Sequence, residues 1–589
     1  MQRFLMLFVL VCLFSCSSNG QSIQSETIPD DDVALKKLLL LSDLQVLETK
    51  SAKLDSPLAR ALGKTEIADA AWTLDQEWAK KLLREAFELT LPSETEQVKS
   101  RGKTIGQPLS LPTRNEVARN SVRHRVLEVA GRSKKFVDEL IKSGTERVGK
   151  QEENHMYENL ANKAVSSGDT ATAGTYIVKA LESDPTIINS GYFILDVALK
   201  DRAAADKLIL QYIDVLRATP LSASNDGAFR AYYLLENLVF PSDIFLASKR
   251  FLHKDSASAS NPIPAAGLDV VRAYVGYIVE SLGELEQREP GSAIKLRSHL
   301  TSAWLPLRQY APELTGAFIA LERKSRTSDD DASLPQESEN ELSKTRYEDR
   351  VKKALDSNQP DELTINFAIS RGDFDKARKL LDKLSDGAQK TQLTEMVNMR
   401  EALSLAAQGN TVEAGILAER LTKAASVMQV YPAIINKCAA KKNEPCVTNA
   451  FYQAVKQLKR TDPTPYTPPA GIPASAVAGS KEFDPVLSSL GKLAKAVAPV
   501  SEALSMEALD ETVQAANRSE IDTGQGRTGF ETDIFKMLAP KNELRVLQMA
   551  GNLKDPLRQI VALAMIDQWK ASELAEKAKA LRQKNAANK

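Results

Sequence analysis

The residue types able to do chemistry near neutral pH are thinly spread in this chain. Its histidines are His124, His155, His253 and His299, and beyond the N-terminal region its cysteines are Cys438 and Cys446. No histidine has a second one three or four residues away, and HExxH is absent. A helix-borne zinc site needs that spacing to put two imidazoles on one face. In QEENHMYEN, Glu152 and His155 would share a helix face and form one fragment of a metal site. A tetrahedral centre needs further ligands, so a half-exposed histidine at a helix start is the simpler account. The acidic run Asp329, Asp330, Asp331 reads as solvated charge. RTSDDDAS and SNDGAF both lack calcium-loop spacing and its terminal Glu. Lys295 and His299 could share a face, but Arg297 points elsewhere, so no basic patch forms. There is no GxSxG elbow, no Walker loop and no GxGxxG after a strand. A Ser-His-Asp triad drawn from distant residues is invisible to a local reading. No catalytic, cofactor-binding or metal-binding residue is assigned, and no cofactor is expected.

The cysteines give a firmer expectation. VYPAIINKCAAKKNEPCVTNAFYQAV reads as helix, turn, helix. Pro432 suits the first turn of the first helix, with Ile434 and Ile435 as its apolar anchors. Asn443 can cap the second helix and Pro445 fits its first turn. Cys438 and Cys446 then face each other across the turn, where Cα atoms can come within the roughly 4.4–6.8 Å of a disulfide. Two reduced, buried thiols are the alternative. A zinc site is disfavoured, because two thiolates with no nearby His lack the remaining ligands.

A disulfide needs an oxidising compartment, and the N-terminus supplies a route. MQRFLMLFVLVCLFSCSSNGQS has Arg3 before eleven unbroken apolar residues, 4–14. That run is too short for a bilayer, which takes about 20 residues. Small residues Ser18, Asn19 and Gly20 precede a cut at Gln21. Residues 1–20 therefore read as a secretory signal peptide rather than a buried N-terminal helix. Leu13-Phe14-Ser15-Cys16 also resembles a bacterial lipobox with Cys16 as the lipidated residue, although Phe14 departs from the preferred residue type. The expected location is the periplasm or the exterior, with a lipid anchor as the variant. No later apolar run is long enough to be a transmembrane helix.

The bulk composition narrows the partners. Lys plus Arg and Asp plus Glu both number 77 in 589 residues, so no global field attracts nucleic acid or anionic lipid. Aromatics are 6% of the chain, too few for a base-stacking platform or a carbohydrate cleft. Apolar residues recur near a period of 3.6 through most of the chain, and no apolar–polar alternation flanks a tight hairpin turn, so the fold class is all-α. Residues 33–323 read as an N-terminal helical array, 324–343 as a polar disordered linker, and 344–460 as a second array. Residues 461–482 form a proline-rich linker, and 483–589 a C-terminal helical region ending in an Ala-, Lys- and Glu-rich tail.

One pattern repeats. Gly168 precedes Ala173, Gly372 precedes Ala377 and Gly409 precedes Ala414, always by five residues. Gly372 and Gly409 lie 37 residues apart, close to the tetratricopeptide period of about 34. With Ala161, Ala180 and Pro185, residues 160–185 resemble one tetratricopeptide unit, and the others resemble degenerate copies without the aromatic positions. The resemblance covers about a third of the chain and implies an α-solenoid of stacked antiparallel hairpins. It also implies a surface that binds a protein or peptide. In style the chain is similar to exported helical-repeat proteins of environmental bacteria, a likeness that brings no activity with it. The functional expectation is an exported scaffold. The alternative is a hydrolase on a helical scaffold, acting on glycan or peptide, which would need facing carboxylates in an aromatic-lined cleft.

Overall fold

A computed structural model of the protein describes residues 28–92, 114–183, 189–218, 235, 238–239, 266–288, 312–316, 349, 351–356, 362–461 and 484–587. The expected signal peptide with Cys16, the linker at 324–343 and all but the first residue of 461–482 lie outside them, as do His253, His299 and the Asp329–331 run.

The repeated glycines act as turn formers. Gly168, Gly372 and Gly409 take φ of +82°, +77° and +92°, a region that costs a residue with a Cβ about 1–2 kcal/mol. Each turn closes the same way. Asp169, Asp373 and Asn410 donate their N–H groups to the carbonyls of Ala164, Ala368 and Leu405 at 2.9 Å, satisfying an orphan acceptor at the end of the first helix. The same three residues open the next helix, accepting from the N–H of Ala173, Ala377 and Ala414 at 3.0 Å. Those alanines are wholly buried, because the two helices cross there. A further copy of the turn has no glycine. Lys442 takes φ +54°, Asn443 N–H donates to Cys438 O at 3.0 Å, and Val447 stands where the alanine would.

The N-terminal helices are α1 (Ile28–Ala52), α2 (Pro57–Ala71), α3 (Gln76–Leu89), α4 (Arg114–Ala130), α5 (Lys134–Val148), α6 (Lys150–Ser167), α7 (Thr170–Ser183), α8 (Asn189–Lys200), α9 (Arg202–Arg217) and α10 (Leu268–Arg288). After them come α11 (Glu362–Arg371), α12 (Phe374–Asp382), α13 (Ala388–Gln408), α14 (Thr411–Ala418), α15 (Ala424–Ala440) and α16 (Glu444–Arg460). The last are α17 (Pro485–Val497), α18 (Glu502–Arg518), α19 (Asp533–Leu538), α20 (Glu543–Gly551) and α21 (Pro556–Ala587). Among the described residues there is no strand, and no helix is long and apolar enough to cross a membrane. One boundary expectation is corrected. The helix bearing Cys438 starts at Ala424, and Pro432 lies inside it. The buried stripe Val427, Val430, Tyr431, Ile434, Ile435 runs through the proline, and its burial offsets the lost N–H.

The fold is a stack of antiparallel helical pairs. Helices α2, α4, α6 and α8 pack in succession, each hairpinned to the helix that follows it. So do α11, α13, α15, α17 and α19. The two runs meet through α21, which packs on α19 and α20 and also on α1 and α2. Its faces divide the work. Leu557, Ile560, Val561 and Ala564 face the N-terminal helices, whereas Ala562, Met565 and Ile566 belong to the core of α13–α20. That second core runs unbroken from Ala402 through Leu458 to Leu487 and Ile566, spanning both sides of the proline-rich 461–482 stretch. A loop seals the seam. Thr523 donates its hydroxyl to Asp555 at 2.7 Å, Arg558 Nε donates to Thr528 O at 2.8 Å, and Ser56 bonds Gly524 O. Gly526, at φ +67°, lets this loop lie against α2 and α4; a Cβ there would stand 2.5 Å from Val122 and 2.9 Å from Leu58 O.

At the other end of the seam Asp567 is 6% exposed. Burial pushes its carboxyl up to about 7, Lys570 opposes the shift, and Asp43 on α1 and Glu543 on α20 add to it. A carboxyl whose folded-state pKa lies above the unfolded value stabilises the fold at low pH and loses that contribution as pH rises through the folded value. Lowering the pH from about 8 to about 5.5 should therefore raise unfolding stability by about 2 kcal/mol relative to Asp567→Asn. Denaturant titrations of both proteins at the two pH values check this, and equal pH dependence would refute it. At the glycine-free turn, Lys442→Gly should raise stability by about 1 kcal/mol, while Gly409→Ala should lower it by a similar amount. Thermal melts of the two variants give the comparison.

Candidate functional site

Three places bring reactive or charged side chains together. The first is the Cys438–Cys446 turn. Asn443 Oδ1 accepts from Cys446 N–H at 3.1 Å, which caps α16 and fixes the direction of that cysteine. The two sulfurs stand at disulfide distance, with Cα atoms 5.7 Å apart. Cys438 is 1% exposed, so a single thiol there would have little access to solvent.

The second is a small polar pocket of about 210 Å³ between α4, α6 and α8. Helix spacing explains who lines it: Asn120, Arg123, His124 and Leu127 from one face of α4, and Glu152, His155, Met156 and Asn159 from α6. Arg123 donates to Glu152 at 2.6 Å and to the carbonyl of Thr90 at 2.6 Å. Burial draws its pKa down to about 10, partly offset by Glu152. His155 Nδ1 pairs with Glu158 at 3.1 Å. Burial holds His124 below the usual histidine value, which favours its neutral form near pH 7. Glu152 and His155, which the sequence puts on one helix face, thus take separate partners rather than a common ligand. Among the described residues no group of three or more His, Cys, Asp or Glu side chains is placed to hold a metal ion. The pocket can hold a small polar molecule, and its lining includes no serine, threonine, cysteine or lysine to act as a nucleophile.

The third is a cleft of about 800 Å³ at the seam, where the α1–α2 turn meets residues 522–525 and the start of α21. Its charged lining residues are Lys50, Lys53, Asp55, Asp522 and Asp555. Two of those carboxylates already work as caps: Asp522 accepts from Gly524 N–H and Asp555 from Arg558 N–H, both at 2.9 Å. No aromatic side chain lines the cleft, so it lacks the platform a glycan-cleaving site uses.

A buried ion cluster nearby escaped the sequence reading. Arg125 on α4 binds Glu66 on α2 through two bonds of 2.7 and 2.8 Å, and reaches Asp69 at 2.9 Å. Arg132 also pairs with Asp69, and Glu128 bridges Arg125 and Lys163. Glu66 and Asp69 are buried. Burial opposes the charge on Arg125, but Glu66, Asp69 and Glu128 outweigh it and raise its pKa. Lys536 on α19 faces the same cluster; burial, Arg132 and Arg125 lower its pKa against the pull of Asp69 and Asp533. Glu66 and Asp69 lie more than 50 residues before Arg125 and Arg132, so no local motif announces those pairs.

No protein-family model matches the chain, and no curated protein matches it. One solved structure, described as a circular tandem repeat protein with novel repeat topology and enhanced subunit contact surfaces, is similar over 91% of this chain and 99% of its own. Identity is 13% and the TM-score is 0.15, so the description of the fold rests on this chain's own helices.

Peptide mapping of native protein without reductant should recover Cys438 and Cys446 as one linked peptide. Closing this short loop should contribute about 2–3 kcal/mol by chain entropy, less any strain. Cys438→Ser should lower stability by up to that amount. Two freely alkylated thiols in native protein would refute the bond.

Proposed function

We propose that the protein is an exported helical-repeat scaffold, tetratricopeptide-like in its hairpins, that presents a surface to a protein or peptide partner. The observation that carries this reading is the contrast between the chain's polar and apolar side chains. Polar groups that could do chemistry are spent on one another, as in the Arg123–Glu152 and His155–Glu158 pairs. Apolar side chains stand in water on a hairpin helix. Val412 and Ile416, one turn apart on α14, are 77% and 53% exposed. An exposed apolar pair on a repeat helix is the kind of anchor that helix-in-groove or peptide recognition uses. The balanced net charge disfavours nucleic acid as that partner.

Export is supported by Arg3 with the apolar run at 4–14, and by a cysteine pair placed to oxidise. Cys16 is the lipidated residue if the anchor is used. N-terminal sequencing of native protein should begin near Gln21 or at a lipidated Cys16; an intact Met1 on cytosolic protein overturns export. For binding, wild-type protein and Val412→Asp/Ile416→Asp are compared in affinity capture from the native envelope. The double variant should lose at least one partner that wild type retains, with an unchanged melting temperature. Identical capture by both proteins overturns the role of this surface.

A further inference from the structure

Helix α1 has two apolar faces. Leu40, Leu44 and Leu47 are buried against the core that α2 and α21 share. Leu35, Leu38, Leu39 and Val46 lie on the opposite side of the helix and are 53%, 65%, 58% and 40% exposed. Their offsets of three, four and eleven residues from Leu35, with Ser42 at the seventh, form one continuous stripe along a helix. Exposed leucines scattered singly need no explanation, but a stripe of them marks a contact surface.

The charges beside the stripe say what would cover it. Along one margin stand Asp32, Lys36, Asp43 and Lys50, alternating in sign. A second α1 running parallel would set this margin against the opposite one, so its charges would not meet each other. A second α1 running antiparallel, about a two-fold axis near residue 40, lays the same margin against itself in reverse. Asp32 then meets Lys50 of the second copy, and Lys36 meets its Asp43. Both pairs attract, and each occurs twice by symmetry, as in any isologous interface. Within one chain Lys36 already bonds Asp32 at 2.6 Å, but that pair is exposed and contributes little, so rearranging it costs little.

We propose that α1 is a dimerisation helix, pairing antiparallel with α1 of a second copy through Leu35, Leu38, Leu39 and Val46. This surface is independent of the Val412 surface on α14. A single pair of helices spanning about 37 Å is at the small end of specific interfaces, so the dimer is micromolar rather than nanomolar.

Sedimentation velocity of the full chain across the micromolar range tests it. Wild type should shift from monomer to dimer with concentration. Leu38→Glu/Leu39→Glu should remain monomeric throughout with an unchanged melt, because both side chains point to water. Lys36→Glu should weaken the dimer at least tenfold by setting Glu against Asp43 of the second copy. Adding Asp43→Lys should restore it, and that change also removes a negative charge from beside Asp567. Three results would overturn the proposal: a wild type monomeric at every concentration, a dimer that survives the leucine double variant, or a charge swap that fails to restore association. A leucine variant that melts much lower than wild type would also overturn it, since those leucines would then pack within their own chain.

Discussion

The burial of α21 between two cores is the contact on which the rest of the stack depends. Most helices here bury one stripe and leave the other face to water, as repeat helices do. The first half of α21 cannot, because PLRQIVALAMI has apolar residues on nearly every side. A helix apolar all round must be surrounded. It is surrounded by α1 and α2 on one side and by α19 and α20 on the other. The first and last described helices therefore lie in the middle of the stack. Among the described helices, α10 and α11, from the middle of the sequence, lie farthest along it in either direction.

This arrangement explains the polar chemistry at the seam. Joining two stacks brings charged surfaces into contact, and each buried charge must find a partner or shift its protonation. Both answers occur. Beside Lys536 of α19, Arg125 takes two carboxylates from α2 and accepts desolvation in return for a bidentate bond. Asp567 is buried with Lys570 at 3.9 Å, shared with Glu543, and with the negative charges of Asp43 and Glu543 beside it, so its proton is held more tightly instead. The seam is thus the one described region where the packing of helices is coupled to pH by a strongly shifted carboxyl.

The hairpins themselves rest on a cheaper device. A residue at positive φ, an Asp or Asn beside it, and a small or branched buried residue four positions later turn the chain and start the next helix. Glycine fills the first position at three of these turns. Lysine fills it at the fourth, where the cysteine pair spans the same turn. The positive φ of Lys442 and a cysteine pair at disulfide distance sit at one place.

The all-α class, the glycine turns, the cap at Asn443 and the approach of Cys438 to Cys446 are legible in the sequence. Each of these depends on residues within a few positions of one another, where helix geometry fixes who meets whom. The sequence also suggested two arrays divided by polar linkers, because composition changes there. The pairing of distant helices follows from tertiary packing alone. Ile560 meets Gly63, and Arg125 meets Glu66, through contacts that no periodicity encodes. The apolar surround of residues 557–566 was visible as a composition, but periodicity reports that a face is buried, not which distant helix buries it. The same limit holds for the candidate sites. His124, Arg123 and Glu152 are unremarkable singly, and they form a pocket only because α4 and α6 lie side by side.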